Sequence, residues 1–182
     1  MSEFFINLNL PNWLIVLIIS AFPVVELRGA IPVGVHVLGM SYLKTIVFAI
    51  IGNILPVPLL LVFFNGLLNV SKKTFLKGIV ERYEAYLEKK QKLIDTYGLI
   101  MLFLFVAIPL PGTGAWTGSI LASLGEMPFL RSFITIVLGV LGAALLVTLF
   151  TFFGIWGLVG AVVLFVLSFF FPKLMVFFKK RL

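Results

Sequence analysis

Cysteine is absent from the chain. Disulfides and thiolate metal sites are therefore excluded, and no redox compartment is encoded. The single histidine, His36, excludes a metal centre built on several imidazoles. Charge is scarce too: 12% of residues are Asp, Glu, Lys or Arg, where a soluble domain carries roughly 25%. Such a chain has too little polar surface to meet water. What it has instead is apolar mass, with 62% hydrophobic residues, 20 phenylalanines and a mean hydropathy of +1.21. These values predict a chain that lies mostly in or against lipid. The start does not read as a secretory signal, because its only early charge is Glu3 and no clear cleavage site follows the apolar run. Residues 1–12 are expected at the membrane interface, with Trp13 at headgroup depth.

A membrane helix needs about 20 apolar residues. Leu43–Leu68, Phe129–Phe153 and the shorter Ile155–Phe171 meet that need. Two other stretches are interrupted. Trp13–Val25 runs into Glu26–Pro32 (ELRGAIP) and resumes to Leu38; Leu99–Ile108 runs into Pro109–Gly114 (PLPGTG) and resumes to Leu124. Proline removes a donor and glycine loosens the backbone, so a continuous helix is not expected at either centre. Each could cross as a broken helix or dip and return to one face. Basic residues decide between these. They cluster in 72–92 and again at Lys173, Lys179, Lys180 and Arg181, and Arg131 lies between. All fall on the cytoplasmic side only if 98–125 dips and returns. The first dip, 13–40, then enters from the opposite face.

The expected fold is an all-α, polytopic integral membrane protein of one domain. It has three long transmembrane helices and two opposed re-entrant helical hairpins. A weak internal echo supports an inverted repeat, the plan of many transporters. Gly29-Ala30 resembles Gly114-Ala115, and Lys44 and Gly52 resemble Arg131 and Gly139. The first repeat covers 1–70 and the second 98–154, with a C-terminal helix and basic tail over 155–182. Between the repeats, 71–97 reads as a cytoplasmic amphipathic helix with Glu81, Glu84 and Glu88 among its basic residues. Anionic headgroups suit that charge, so the net +7 gives no reason to expect nucleic acid.

Glu26 and Arg28 are the sharpest signal. A charge at the bilayer centre costs roughly 2.5–3.5 kcal/mol on insertion scales, so two in one apolar segment need a cause. An extended break at 26–32 would point both side chains the same way, into one cavity. Half-helices beginning near Gly29 and Ala115 would aim their N-termini at the midplane, where free N–H groups and the helix dipole favour an anion. Arg28 adds a planar donor fork suited to phosphate. Thr113, Thr117 and Ser119 add hydroxyls, and Gly112 and Gly114 allow close backbone approach. Pro32 and Pro111 belong to the two breaks. Glu26 would repel an anion unless protonated or displaced, which suits a proton-coupling role. Asn53, followed by Pro56 and Pro58, is expected beside a kink, with packing as its simpler role. His36 reads as a hydrogen-bonded or interfacial side chain, and Glu126 and Arg131 as an edge pair. Gly139, Gly142, Ala143 and Ala144 suit close helix packing.

At Glu26–Pro32 and at Pro109–Gly118 (PLPGTGAWTG) the chain resembles the small multidrug export family, which is considered related to the DedA (VTT-domain) superfamily. The resemblance covers nearly the whole chain. It implies a prokaryotic inner-membrane protein with paired re-entrant loops, and some DedA relatives move lipids such as undecaprenyl phosphate. Three functions follow as expectations. The first is transport of an anionic amphiphile such as a lipid phosphate, proton-coupled through Glu26. The second is proton-coupled export of lipophilic cations, with Glu26 as the binding carboxylate. The third is a non-transport scaffold acting through 71–97. No catalytic Ser–His arrangement, metal cluster or aspartate pair points to an enzyme, and no cofactor beyond a coupled proton is expected. The expected partners are membrane lipids and the substrate; a homo-oligomer remains open.

Overall fold

The computed structural model describes residues 10–71, 97–110 and 112–154. Pro111, most of the 71–97 linker, the Ile155–Phe171 span and the basic tail lie outside the described residues. The elements among the described residues are all helical. In chain order they are α1 (Asn12–Ala21), α2 (Glu26–Pro32) with a π-helical turn at Val33–Val37, α3 (Tyr42–Ile54), α4 (Val57–Ser71), α5 (Tyr97–Ala107), α6 (Ala115–Leu124) and α7 (Phe129–Phe152).

Two stretches are long and apolar enough to cross a membrane: Tyr42–Leu67, with 26 residues, and Phe129–Phe152, with 24. At 1.5 Å per residue, α7 is roughly 36 Å long, against about 30 Å of hydrocarbon. Its faces are sorted for lipid. Leu130, Ile134, Leu138, Leu141, Leu145 and Leu149 are exposed at helical spacing. The opposite face buries Ser132, Gly139, Ala143 and Ala144. Small residues face protein and leucines face out, because lipid tails leave no hydrophobic drive between helices and close contact must supply the attraction. The first long stretch is not one straight rod. Leu55 and Pro56 interrupt it between α3 and α4, as the missing proline donor requires.

The other helices are short. α1 and α6 have 10 residues each, or roughly 15 Å, about half of the hydrocarbon thickness. Both broken segments double back. Asn12 Nδ2 donates to the Leu38 carbonyl at 3.1 Å, joining the start of α1 to the end of the π-turn. In the second segment, Gly118 of α6 lies against Val106 and Leu102 of α5.

The sequence expectation placed the first break at 26–32. The structure moves it to Phe22–Val25 and makes 26–32 helical. Pro23 explains the shift: the residue before a proline is pushed from helical geometry, and Phe22 is extended with φ −73 and ψ 139. Pro32 ends the regular helix without breaking the rod. The chain continues into the wider π-turn, whose Leu38 N–H reaches the Val33 carbonyl at 3.0 Å. The half-helix thus starts at Glu26, and Gly29 lies inside it.

The two halves repeat one order of elements: helix, break, half-helix, four-residue connection, long helix. They also repeat a contact. A methyl group on Gly52 of α3 would overlap the Leu17 carbonyl oxygen of α1. One on Gly139 of α7 would stand 2.6 Å from Val106 Cβ and 3.1 Å from the Phe103 carbonyl oxygen of α5. Leu17 and Phe103 each lie four residues before the end of their helix. Between the halves the packing is crossed: α2 lies on α7, and α6 lies on α4. One core cluster results, with Leu27, Ile31 and Leu61 from the first half joined to Val106, Ile136 and Val140 from the second.

Candidate functional site: two loops held together by Glu26, Arg28 and Trp116

Crossed packing brings the two breaks together, and the charged side chains of the first half serve the second. Glu26 is 4% exposed. Its Oε1 accepts the backbone N–H of Trp116 at 3.2 Å. Trp116 is the second residue of α6, so Glu26 occupies the place where a helix normally finds its N-cap oxygen. The local cap residue, Gly114, has no side chain to offer. The carboxylate meets both the unpaired N–H groups and the positive end of the helix dipole.

Gly114 makes room for that carboxylate. Its φ of 132 and ψ of −170 lie where residues with a Cβ are strained. A methyl there would overlap Glu26 Oε2 and stand 2.7 Å from Cδ. The strain is not confined to glycine. Val24 and Glu26 have φ of 74 and 49, both left-handed, at the turn that launches α2.

Arg28 reaches the other side of the same loop. Its Nη1 donates to the Leu110 carbonyl and its Nη2 to Thr113 Oγ1 at 2.9 Å. The Thr113 hydroxyl in turn lies 2.8 Å from the carbonyls of both Ile108 and Leu110, with one proton to share. The irregular stretch before α6 is thereby stitched to itself and to Arg28. Arg28 Nε is buried without a hydrogen-bond partner. The two side chains are not hydrogen-bonded to each other. Arg28 is taken by Leu110 and Thr113, and Glu26 by Trp116. A third bond runs the opposite way, from Trp116 Nε1 to the Ala21 carbonyl at the end of α1, at 3.1 Å.

Of the residues singled out in the sequence, Glu26, Arg28, Thr113 and Gly114 meet in this cluster. Gly112 is exposed in the second loop with φ 81. Gly29 and Pro32 belong to α2, where a methyl on Gly29 would overlap a Val25 methyl. Thr117 is half-buried on the first turn of α6. Ser119 turns its hydroxyl to the Ala115 carbonyl of its own helix, at 2.7 Å. Asn53 is 1% exposed, just before the Leu55–Pro56 interruption, and its Oδ1 has no donor. His36 has a partner 115 residues away, the Thr151 carbonyl at 3.3 Å from Nε2. Trp116 was not singled out by sequence reasoning. Its one signal was an indole beside a glycine-rich break, which in an apolar chain reads as an interfacial aromatic.

The α6 N-terminus, expected to receive a substrate anion, instead receives the chain's own carboxylate. Helices sorted for lipid, a polar cluster buried at two meeting breaks and a proline-interrupted long helix define an all-helical membrane protein. The chain belongs to the family described as "Putative small multi-drug export protein", whose model matches residues 26–146. That match starts at Glu26 and covers the cluster apart from Ala21. No curated protein and no solved structure matches the chain.

Proposed function

We propose that the protein is a membrane exporter of lipophilic cations in which Glu26 alternates between capping α6 and binding a proton or the substrate. The observation that carries this reading is the buried Glu26 carboxylate, which belongs to one half of the chain and sits on the helix N-terminus of the other. Protonation removes the charge that α6 attracts, and a bound cation neutralises it in another way. One carboxylate thus exchanges two cationic ligands and ties each exchange to the contact between the halves. The family description points to export. The short helices and meeting ends of both broken segments favour re-entrant hairpins over crossings. The repeated element order favours an inverted repeat. The finer topology, in a prokaryotic inner membrane with 71–97 and the C-terminus cytoplasmic, rests on where Lys and Arg fall in the sequence. Transport, not catalysis, is the activity we assign.

A second reading, transport of an anionic amphiphile such as a lipid phosphate, draws on Arg28 Nε, a buried donor without a partner. It requires the phosphate to displace Glu26 from α6 and Arg28 from Leu110 and Thr113. Protein reconstituted in vesicles with an imposed pH gradient separates the two. Tetraphenylphosphonium should move against that gradient, and Glu26→Gln should slow it at least tenfold. Unchanged movement in Glu26→Gln would end the first reading. Movement of labelled polyprenyl phosphate that survives Glu26→Gln but disappears in Arg28→Ala would establish the second.

A further inference from the structure

Trp116 bonds to both sides of the first break. Its backbone N–H reaches Glu26 Oε1 at 3.2 Å, and its indole Nε1–H reaches the Ala21 carbonyl at 3.1 Å. Ala21 closes α1 and Glu26 opens α2, so the two bonds span Phe22–Val25. Ala21 has need of such a donor. In a continuous helix its carbonyl would take the Val25 N–H, which is spent here on the Pro23 carbonyl at 3.0 Å. An indole N–H donates and does not accept, which suits an orphaned carbonyl. One residue of the second half thus holds the two ends of a break in the first.

The turn held in this way is strained. Val24 and Glu26 are left-handed, with φ of 74 and 49, and Val24 is 93% exposed, so packing of its side chain does not repay the cost. A charge-assisted bond and a neutral one now oppose that strain. When the carboxylate takes up a proton or a cation, the neutral bond is left, and it offsets less than two left-handed residues cost. We infer that Trp116 is a positioning residue whose indole holds the end of α1 so that Glu26 stays on α6, and which releases Ala21 when Glu26 leaves. This inference rests on the reading of Glu26 as the exchanging carboxylate. It adds the path by which the exchange reaches α1, and through Leu17 the close contact with Gly52 of α3. Arg28, on α2 itself, is the charged group that faces Glu26. α1 and α6 carry no titratable side chain, and those of α3 and α7, Tyr42, Lys44 and Arg131, lie in the first turns of these helices. His36, on the π-turn, is directed to Thr151.

The chain carries Trp13, Trp116 and Trp156, so Trp13→Phe with Trp156→Phe leaves Trp116 as its sole indole. With the indole nitrogen isotope-labelled and the whole chain in detergent, the magnetic resonance of that one N–H reads its bond to Ala21. Acid, or tetraphenylphosphonium at neutral pH, should move the indole proton upfield, the direction of a lost hydrogen bond. In Glu26→Gln it should start upfield and respond to neither. A resonance that stays in place, or that responds alike in Glu26→Gln, overturns the inference. A second arm reads transport in the otherwise native chain. Benzothienylalanine at position 116 keeps the shape of the ring and puts sulfur in place of N–H. It should slow tetraphenylphosphonium transport about twofold to twelvefold, the factor carried by one neutral hydrogen bond. A fluorotryptophan that retains the N–H should restore it, and equal rates for the two analogues overturn the inference. The two failures are distinguishable. Transport lost in Glu26→Gln with an unmoved indole resonance removes the clamp and keeps the carboxylate. Normal transport by Glu26→Gln removes the carboxylate and the inference with it.

Discussion

Replacing Gly114 by alanine perturbs the central contact without touching either charge. The added methyl overlaps Glu26 Oε2 and stands 2.7 Å from Cδ, so the carboxylate must leave the start of α6. Losing a hydrogen bond to a charged group costs about 1.5–3 kcal/mol. Forcing alanine into the backbone geometry at φ 132 adds roughly 1–3 kcal/mol. Together they predict a loss of about 2.5–6 kcal/mol from the assembled site. The two contributions can be separated. In a Glu26→Ala background there is no carboxylate to displace, so Gly114→Ala should cost only the backbone part. A double-mutant cycle on thermal unfolding in detergent should then show a coupling of about 1.5–3 kcal/mol. Cation transport should fall in Gly114→Ala as far as it does in Glu26→Gln. Equal cost of Gly114→Ala with and without the Glu26 side chain would refute the contact.

Two further outcomes follow from the geometry. Gly52→Ala drives a methyl into the Leu17 backbone, which cannot rotate away, whereas Gly66→Ala meets nothing within 4 Å. The first should lose about 1–3 kcal/mol or more and reduce the monodisperse fraction on size exclusion; the second should be neutral or gain up to ~1 kcal/mol from better helix propensity. Similar behaviour of the two would refute the α1–α3 approach. Thr113→Val keeps the shape of the side chain but strands Arg28 Nη2 and leaves the Ile108 and Leu110 carbonyls without the hydroxyl. Transport should drop severalfold and return in Thr113→Ser, and a valine variant as active as the serine one would remove the hydroxyl from the mechanism.

The long apolar helices were legible because their signal is local. Length, apolar content and a small-residue face can be read from Phe129–Phe152 without knowing what it packs against. The start of α6 at Ala115 was legible for the same reason, since glycines and prolines stop just before it. The first break was misplaced because the charges drew it to 26–32, while the stronger local signal, Phe22 before Pro23, lay four residues earlier. The partners of Glu26 and Arg28 could not be read at all. They lie 82 to 90 residues away and are backbone groups as much as side chains. A backbone N–H has no letter in the sequence. The amphiphilic-anion expectation counted the α6 N-terminus as free, whereas the chain's own Glu26 carboxylate sits there.

The same separation orders the making of the protein. Glu26 leaves the ribosome 90 residues before Trp116. At ~5–20 residues per second, roughly 5–18 s pass before the helix that receives it exists. For most of that interval the first half carries a carboxylate and a guanidinium whose partners have not been synthesised. A chain halted before Leu110 therefore holds two charges in its apolar part with the receiving groups of both still missing.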